Sequence, residues 1–475
     1  MKAEPPSEPI SRSRTLCIAL AVGLGVSAGP LDSAVNVAFP AIIAAFDVTI
    51  DSVQWIVVSY VLTYSCLLLG FGRLADLVGH KRVFVIGIVW SIVALLLCSQ
   101  AARFDWFFLG RFVQGIGTAA LLSTGPALMT LSFPENQRTR VLAWYALMFA
   151  SANALGPLAG GLVVSELGWA SVFWMRIPLL LMALVLAWQV LPDHVAHDEP
   201  QSFDWLGALA FAACVLVAMA ALNRFGTLGF ATWLPWGLLG LAVMLLYTFV
   251  RKSLATSAPL IELRLFRLPV FASANVAHVL VNMASFSIML LAPFYLARVV
   301  EGDALKIGMF LCLYPVGAVI ASLIAPHALR RLDALVLSQL GLSLAALGLF
   351  IASAWPIELS AGRIVAALAL HGFGYGLFQV AAVDVVMSTV SRRQQGVGGS
   401  LNMLTRTLGV VAGASLGSVL FTSMGGSAAA TSSDYMSAHS TVFSTAGGVV
   451  LLAIALLAWT GHRIRTRNAS TPGER

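Results

Sequence analysis

Long runs of apolar residues, separated by short polar segments, follow one another along almost the whole chain of 475 residues. An α-helix of about 20 apolar residues spans the hydrocarbon layer of a bilayer, which is roughly 30 Å thick. The pattern therefore predicts about fourteen membrane-spanning helices. The predicted spans are 15–41, 53–72, 82–101, 107–131, 140–164, 172–191, 205–223, 232–250, 270–297, 305–326, 334–354, 361–388, 398–422 and 441–461.

The composition supports an all-α integral membrane protein. Hydrophobic residues make up 59% of the chain and charged residues 10%, whereas a soluble domain carries about 25% charged residues. A membrane β-barrel is built from alternating segments of about 10 residues, and the chain does not show them. The five cysteines lie within apolar runs, without the spacing of metal ligands or of a disulfide framework, so we interpret them as packing residues.

Lysine and arginine are distributed unevenly over the two sides of this arrangement. With the N-terminus in the cytoplasm, most of them fall in short cytoplasmic loops, as the positive-inside rule requires. An even number of helices then places both termini in the cytoplasm. The net charge of +7 follows from this bias, so we do not expect a nucleic-acid partner. Residues 1–14 are polar and precede no clear cleavage site, which predicts a retained first helix.

An acidic residue lies inside the first span. A carboxylate at the centre of a membrane helix costs roughly 3 kcal/mol or more unless it is paired, hydrated or protonated, and intramembrane ionisable groups are usually functional. Asp32 is therefore the leading candidate for chemistry. In the fourth span, Arg111, Gln114 and Thr118 share one helical face. Arg111 could pair with Asp32, or its side chain could extend to the membrane interface.

Two glycine-containing motifs flank this region. Gly72, Asp76, Gly79, Lys81 and Arg82 predict a tight cytoplasmic turn that combines an acid with a basic cluster.

The second motif lies in the fifth span and consists of Gly156, Pro157, Gly160 and Gly161. Small residues at helical spacing allow close approach of a neighbouring helix, and the proline removes a backbone hydrogen bond and bends the helix.

These segments resemble the major facilitator superfamily. Residues 72–82 resemble its signature loop, and residues 109–117 resemble its fourth-helix motif. The fifth-span motif resembles the antiporter motif of its exporters. Residues 31–40 and the number of spans resemble its fourteen-helix drug:proton antiporter branch. The chain departs from the pattern at Arg176, where that branch usually has asparagine. This arginine could alter substrate preference or pair with Glu166.

The resemblance implies two six-helix halves with two extra helices between them. The expected segments are a cytoplasmic tail (1–14), an N-terminal half (15–191), a cytoplasmic linker (192–204), two inserted helices (205–250), a cytoplasmic loop (251–269), a C-terminal half (270–461) and a cytoplasmic tail (462–475). The linker contains His194 and His197 beside Asp193 and Asp198. A solvated linker is the better interpretation of these residues than a metal site, so no metal is expected.

The implied function is proton-driven efflux of drugs or of hydrophobic or cationic small molecules across the cell membrane. Asp32 and Arg111 would couple protons, and residues 72–82 would form a cytoplasmic gate. Protons would be the coupling ion, without another cofactor. We expect a monomer in the bilayer with a small-molecule substrate; the sequence does not identify periplasmic or outer-membrane partners. The expected cavity residues are Asn36, Tyr64, Gln114, Phe149, Arg176, His278, Asn282, His371, Tyr375 and Gln379.

Three alternatives stay open at the level of sequence. The first is a dedicated exporter of one metabolite, siderophore or self-made antibiotic. The second is a nutrient importer, which the fifth-span motif disfavours through the family resemblance alone. The third is a membrane-embedded enzyme that uses His371 or Asp384. Because no spacing brings together an acid, a base and a nucleophile, we do not expect an enzyme.

Overall fold

The structure, a computed structural model, describes residues 12–133, 137–192, 204–228, 231–256, 263–389, 395–426 and 431–469. All regular elements within these ranges are helices. The α-helices are α1 (Arg12–Ser27), α2 (Ala34–Phe46), α3 (Val53–Val78), α4 (His80–Ser99), α5 (Phe104–Leu131), α6 (Arg138–Leu167), α7 (Ser171–Trp174), α8 (Ile177–Val190), α9 (Trp205–Leu228), α10 (Trp233–Ala255), α11 (Pro269–Val299), α12 (Ala304–Leu311), α13 (Leu313–Ala328), α14 (Ala334–Ser353), α15 (Ala361–Thr389), α16 (Gln395–Ser423) and α17 (Ser432–Ala469).

The predicted all-α membrane fold is confirmed. Every predicted span coincides with helix, and eleven helices of the described chain are long and apolar enough to cross a bilayer. The number rises to twelve when the bent pair Val53–Leu68 and Gly70–Val78 is taken as one span. Helices α9 and α16, which coincide with the seventh and thirteenth predicted spans, are not among those eleven or twelve. The number fourteen therefore stays a prediction.

Several predicted spans are interrupted where the sequence pattern suggested one continuous helix. The first breaks at a 3-10 turn, Pro30–Ser33, between α1 and α2. The sixth is divided between α7 and α8, and the tenth between α12 and α13. Proline explains the first break, because its ring nitrogen cannot donate a helical hydrogen bond. An apolar run shows that a segment is buried in lipid, but it does not show whether the helix inside it is continuous.

The turn between the second and third spans is much shorter than predicted. The sequence suggested a loop from residue 73 to 81, but α3 continues to Val78 and α4 begins at His80. Gly79 alone makes the connection, with φ of +103° and ψ of +131°. Glycine adopts a positive φ without steric cost, so this one residue allows the two helices to meet in a tight hairpin.

Most helix packing lies within the first part of the chain or within the last part. In the first part of the chain α5 packs against α3 and α4, and in the last part α15 packs against α13 and α14. Contacts between these two groups run through α6 with α12, α3 with α16, and α2 with α11. Helices α9 and α10 pack as a pair, and Lys252 Nζ lies 3.1 Å from Asp204 Oδ1 at their ends.

The distribution of side chains is the reverse of that in a soluble protein. Large apolar groups such as Trp188, Trp233 and Leu452 are exposed on the outside of the bundle. Arginine and histidine side chains, among them Arg111 and Arg176, are buried inside. Polar groups have no water to bind in the hydrocarbon layer, so they must find partners within the protein. The bundle therefore places apolar groups towards lipid and its polar chemistry at the centre.

Replacement of Gly79 by alanine should destabilise the hairpin. A Cβ atom at this positive φ is expected to cost about 1–2 kcal/mol, and the melting temperature of the purified protein in detergent should fall. Gly240 in α10 provides the control, because a Cβ there meets nothing within 4 Å. Gly240→Ala should leave the melting temperature unchanged or raise it. Equal effects of the two substitutions would contradict the role given to Gly79.

Candidate functional site

Asp32 lies in the break of the first span. Its backbone N–H donates to the carbonyl of Gly29 at 3.0 Å within the Pro30–Ser33 turn. The side chain is 14% exposed. Because α1 ends before this turn and α2 begins after it, the carboxylate lies between two helix ends and not on a continuous helical surface. It points into the bundle, where other helices supply its partners.

Arg111 of α5 binds the Asp32 carboxylate through both of its terminal nitrogens. Nη1 donates to Oδ1 and Nη2 donates to Oδ2, each at 2.7 Å. The remaining Nε–H donates to the carbonyl of Ile56 at 3.0 Å, and the guanidinium lies 4.3 Å from the ring centroid of Tyr60. The Arg111 side chain is 1% exposed, so it does not extend to the interface. A two-pronged pair of this kind fixes geometry as well as charge.

Gln114, one helical turn after Arg111, completes this side of the site. Its Nε2 donates to Asp32 Oδ1 at 3.1 Å, and its Oε1 accepts from Arg111 Nη1 at 2.7 Å. The shared helical face of Arg111 and Gln114 thus presents both side chains to one carboxylate. The amide donates to the acid and accepts from the base, so it stabilises the pair without adding charge.

Arg176 is a second guanidinium on the same carboxylate, and the sequence did not predict this pairing. It lies between α7 and α8 and donates from Nη1 to Asp32 Oδ1 at 2.9 Å. Its Nε donates to the carbonyl of Val172 at 3.0 Å. The side chain is fully buried, while Glu166 is exposed. The ion pair therefore forms with Asp32 instead of Glu166. The signal in the sequence was the departure of Arg176 from the motif of the branch that the chain resembles.

Together these residues form the ion-pair cluster, which we define as Asp32, Arg111, Gln114 and Arg176. It holds one carboxylate and two guanidinium groups, so with Asp32 ionised its net charge is +1. Coulomb attraction is strong at low dielectric, but desolvation of each ion is also costly. Such a site is stable only while every charge keeps its partner, and a proton on Asp32 would change the balance of the whole cluster.

A cavity of about 200 Å³ opens beside the cluster. Seven of the predicted site residues line it, from both parts of the chain. They are Asp32, Asn36, Tyr64, Arg111, Phe149, Asn282 and Tyr375. Phe39, Phe286, Met289 and Tyr314 add apolar and aromatic surface, and Arg406 adds a further cation.

Five other predicted cavity residues lie behind the wall instead of on it. Gln114 and Arg176 are turned towards Asp32, while His278, His371 and Gln379 are turned towards partners in the C-terminal helices. These five residues are not among those that line the described cavity, and their part in a substrate site stays a prediction. Each makes a hydrogen bond to a residue on another segment, which periodicity along a single helix does not show.

The C-terminal helices hold a network of neutral polar groups. Gln379 connects His278 to Tyr375, because its Oε1 accepts from His278 Nε2 and its Nε2 donates to the phenol oxygen. Tyr375 then donates to Asn282 Oδ1 at 2.8 Å, and Thr405 lies 3.2 Å from His278 Nδ1. The network presents Tyr375 and Asn282 to the cavity. His278 and Gln379 fix the orientation of those two groups from behind.

His371 makes a separate set of contacts. Its Nε2 lies 2.9 Å from Ser285 Oγ, and its Nδ1 lies 2.8 Å from the carbonyl of Ala345. The imidazole stacks on Tyr314 with ring centroids 5.5 Å apart. These bonds use both ring nitrogens, so His371 orients two cavity-lining side chains, Ser285 and Tyr314.

The fifth-span motif brings three helices into close contact. A Cβ on Gly160 would lie 2.9 Å from Ala34 Cα, and one on Gly156 would collide with the side chain of Ser33. A Cβ on Gly161 would lie 3.1 Å from Gly308 Cα in α12. The glycines of α6 therefore pack on one side against the segment that carries Asp32 and on the other against α12. Proline at position 157, within α6, accompanies this packing.

The motif at residues 72–82, which is predicted to face the cytoplasm, forms a compact hairpin. Asp76, whose side chain is 43% exposed, lies 3.7 Å from Arg73 Nη1 and 3.4 Å from His80 Nε2. Lys81 is half-buried and Arg82 is exposed, while Gly72 has only Ser123 near its Cβ position. The predicted contact between Asp76 and the beginning of α16, near Gly398, is not described, because the structure does not describe the side-chain environment of residues 395–404.

The described residues contain no group of three or more potential metal ligands. The His194 and His197 segment lies outside the described ranges. Neither observation adds a metal to the site.

A buried ion-pair cluster beside a central cavity is an arrangement typical of helical membrane transporters. A comparison with family models matches residues 16–409 to the Major Facilitator Superfamily. The chain belongs to this family, whose members are transporters and not enzymes.

Curated relatives cover most of the chain. The riboflavin transporter RibZ of Clostridioides difficile is 27% identical over 410 residues, which is 85% of this chain and 88% of the relative. The drug efflux pump JefA of Mycobacterium tuberculosis is 30% identical over 84% of this chain and 79% of its own length. The tetracenomycin C resistance and export protein of Streptomyces glaucescens is 27% identical over 87% and 77%.

Solved structures show the same fold. A bacterial homologue of the lysosomal transporter Spinster, in an inward-facing and unoccupied conformation, aligns with a TM-score of 0.68 at 17% identity. The alignment covers 95% of this chain and 98% of the Spinster homologue. The POT family transporter PepTSo aligns with a TM-score of 0.71 at 14% identity, and the alignment covers 96% of this chain and 99% of PepTSo. At these identities the likeness establishes the fold alone.

The energetic coupling between Asp32 and Arg176 should be measurable by a double-mutant cycle. Asp32→Asn leaves two buried guanidiniums without a counter-charge, which is expected to cost about 3–5 kcal/mol. Addition of Arg176→Gln should recover part of this loss. The free energy of unfolding, measured by denaturant titration in mixed micelles, should therefore show strong non-additivity.

The exposed pair Arg103 and Asp105 is the matched control, because its nitrogen and oxygen atoms are also 2.9 Å apart. Its side chains are 72% and 79% exposed, and exposed pairs contribute little. A cycle on this pair should be additive. Additivity at Asp32 and Arg176 as well would contradict a coupled buried cluster.

Proposed function

We propose that the protein is a proton-driven exporter of hydrophobic, drug-like small molecules that works by alternating access. The observation that carries the proposal is the buried Asp32 carboxylate, held by Arg111 and Arg176 at the edge of a cavity between the two parts of the chain. A drug efflux pump and a resistance and export protein are among its relatives. We place it in the fourteen-helix branch, in the cell membrane, with both termini in the cytoplasm.

In this mechanism Asp32 carries the coupling proton. When Asp32 is ionised, its two oxygens accept hydrogen bonds from three side chains, and the carboxylate holds α5 and the α7–α8 junction against the first span. A proton removes the negative charge and weakens these bonds, so the balance between conformations shifts. One charge that crosses a potential of 100 mV contributes roughly 2.3 kcal/mol. This is enough to change the ratio of two conformations about fiftyfold.

Two packing regions are proposed to control access to the cavity. Gly161 and Gly308 bring α6 and α12 together beyond the cavity, towards the predicted outer face. The hairpin at Gly79, with Asp76, lies at the predicted cytoplasmic face and would close against α16 in the other state. Since α6 also packs against Ser33 and Ala34, changes around Asp32 are transmitted directly to the outer contact.

A dedicated exporter of one compound remains the second candidate. One relative supports this candidate, because it is named as a transporter of a single compound, riboflavin. The same fold serves both kinds of transporter. A panel of toxic compounds, applied to cells with and without the gene, separates the two by the number of compounds whose toxicity changes.

Asp32→Asn should abolish coupling between substrate export and proton movement. The substitution removes the titratable group but preserves the shape and one hydrogen-bonding oxygen. Inverted membrane vesicles with an imposed pH gradient provide the test. Addition of an exported compound should cause proton release from vesicles that contain the wild-type protein and no release from vesicles that contain the variant. Asp105→Asn is the control, since Asp105 is exposed and lies away from the cavity. Unchanged proton release in the Asp32 variant would refute its coupling role.

The two packing regions should respond in opposite directions when they are weakened. Gly161→Val places methyl groups against Gly308 and Ala304, so it should open the outer side. Asp76→Ala removes the acid from the cytoplasmic hairpin and should open the inner side. A cysteine introduced at Asn36, which lines the cavity, reports access to membrane-impermeant thiol reagents.

Labelling from outside should rise severalfold in the Gly161 variant, and labelling from inside should rise in the Asp76 variant. The native cysteines are first replaced by serine or alanine so that Asn36→Cys is the reporter. Leu162→Val is the control, because Leu162 is exposed on the lipid side of α6. Identical labelling in all variants would contradict gating by these contacts.

A further inference from the structure

The charges around the cavity are mostly positive. Asp32 is the only carboxylate among the described residues that line it, while Arg111 and Arg406 both contribute guanidinium groups. Arg176 adds a third positive charge directly behind Asp32. Because Asp32 is already bonded to two arginines, it is not available to a cation from outside. The wall therefore offers little to a cationic compound.

Arg406 is the cation in this wall that Asp32 does not neutralise. It lies in α16, is half-buried and faces the cavity. Its electrostatic neighbours among the described residues are the phenol groups of Tyr64, Tyr314 and Tyr375 and the imidazole of His278. None of these neighbours is a carboxylate. A buried charge is stable only when it is paired or well hydrated. The guanidinium also presents several fixed donors, which suit a carboxylate or sulfonate with two oxygens.

The surfaces next to Arg406 fit the rest of such a ligand. Phe149 and Phe286 provide flat apolar area, and Asn282 and Tyr375 provide hydrogen-bonding groups that the network behind them holds in place. A binding site of this type combines apolar walls with a few fixed polar groups. The anion would lie at Arg406, and an aromatic body would lie against the phenylalanines.

We propose that Arg406, with the hydroxyl group of Tyr64, forms an anion-binding subsite, and that the transported compounds are hydrophobic molecules carrying a carboxylate, sulfonate or phenolate. The inference rests on the proposed function in that it assigns the substrate to this cavity. It narrows the expected substrates, because it favours anionic compounds over the cationic drugs that the sequence alone allowed.

Three probes with one aromatic body test the charge preference. These are naphthalene-2-sulfonate, neutral 2-naphthalenemethanol and cationic 2-naphthylmethylammonium. Binding to the purified full-length protein in detergent is measured by calorimetry and by the rise in melting temperature. The sulfonate should bind at least tenfold more tightly than the ammonium compound. Equal affinity, or tighter binding of the ammonium compound, would overturn the proposal without any variant.

Substitution of Arg406 tests the position of the subsite. Arg406→Gln should weaken sulfonate binding at least tenfold and leave binding of the neutral probe unchanged. Arg406→Lys keeps the charge but loses the planar pair of donors, so its affinity should be intermediate. Arg363→Gln is the control for loss of one positive charge, because Arg363 is exposed at the end of α15. Full sulfonate affinity in Arg406→Gln would place the anion elsewhere and refute the assignment.

The binding assay needs neither a proton gradient nor a direction of transport. A protein that binds the sulfonate through Arg406 but moves no compound against a gradient would refute the export proposal and leave the subsite intact. Conversely, gradient-driven export with equal affinity for the three probes would refute the subsite alone.

Discussion

A charge buried in a membrane protein must be matched by an opposite charge or by polar groups, and the site follows from that constraint. Asp32 has low exposure, so its ionised form requires partners from within the bundle. Arg111 of α5 and Arg176 at the α7–α8 junction supply the opposite charge, and the side-chain amide of Gln114 donates a further hydrogen bond to the carboxylate. The guanidiniums need the carboxylate as much as it needs them. Three segments that are distant in the chain are therefore tied together at one point.

Close packing around this point depends on small residues. In a bilayer, apolar helix surfaces gain little by exchanging contact with lipid for contact with another helix. Helices therefore associate through complementary shape and hydrogen bonds. Gly156 and Gly160 allow α6 to lie directly against the turn that holds Asp32, while Gly161 meets Gly308 on α12. A larger side chain at any of these positions would separate the helices. The same helix thus touches the ionisable site and the contact between the two parts of the chain.

The sequence predicted these features only as far as each depends on position along one helix. Hydropathy located the helices, and a shared helical face brought Arg111 and Gln114 to one side of α5. The pairing of Arg176 with Asp32 was not predicted, because Arg176 lies between two short helices, where periodicity gives no direction. The sequence did not show the orientation of His278 and His371 inside the bundle, because Gln379 and Ser285 on other helices set it. Likewise, the turn at Gly79 follows from a backbone angle that hydropathy does not show.

The two sides of the cavity have different physical characters. Around Asp32 two guanidinium groups and one amide donate to a single carboxylate, so a proton there changes several bonds at once. Around Tyr375 and Asn282 the polar groups are neutral and already oriented by their neighbours, so a ligand can use them without a large reorganisation. Arg406 differs from both, because its neighbours among the described residues are phenol groups and the imidazole of His278, and none of these is a carboxylate. A ligand that neutralises Arg406 would lie across the cavity from the proton site, and both events would then alter the charge of the same small volume. Coupling between proton and substrate would follow from that shared volume without direct contact between them.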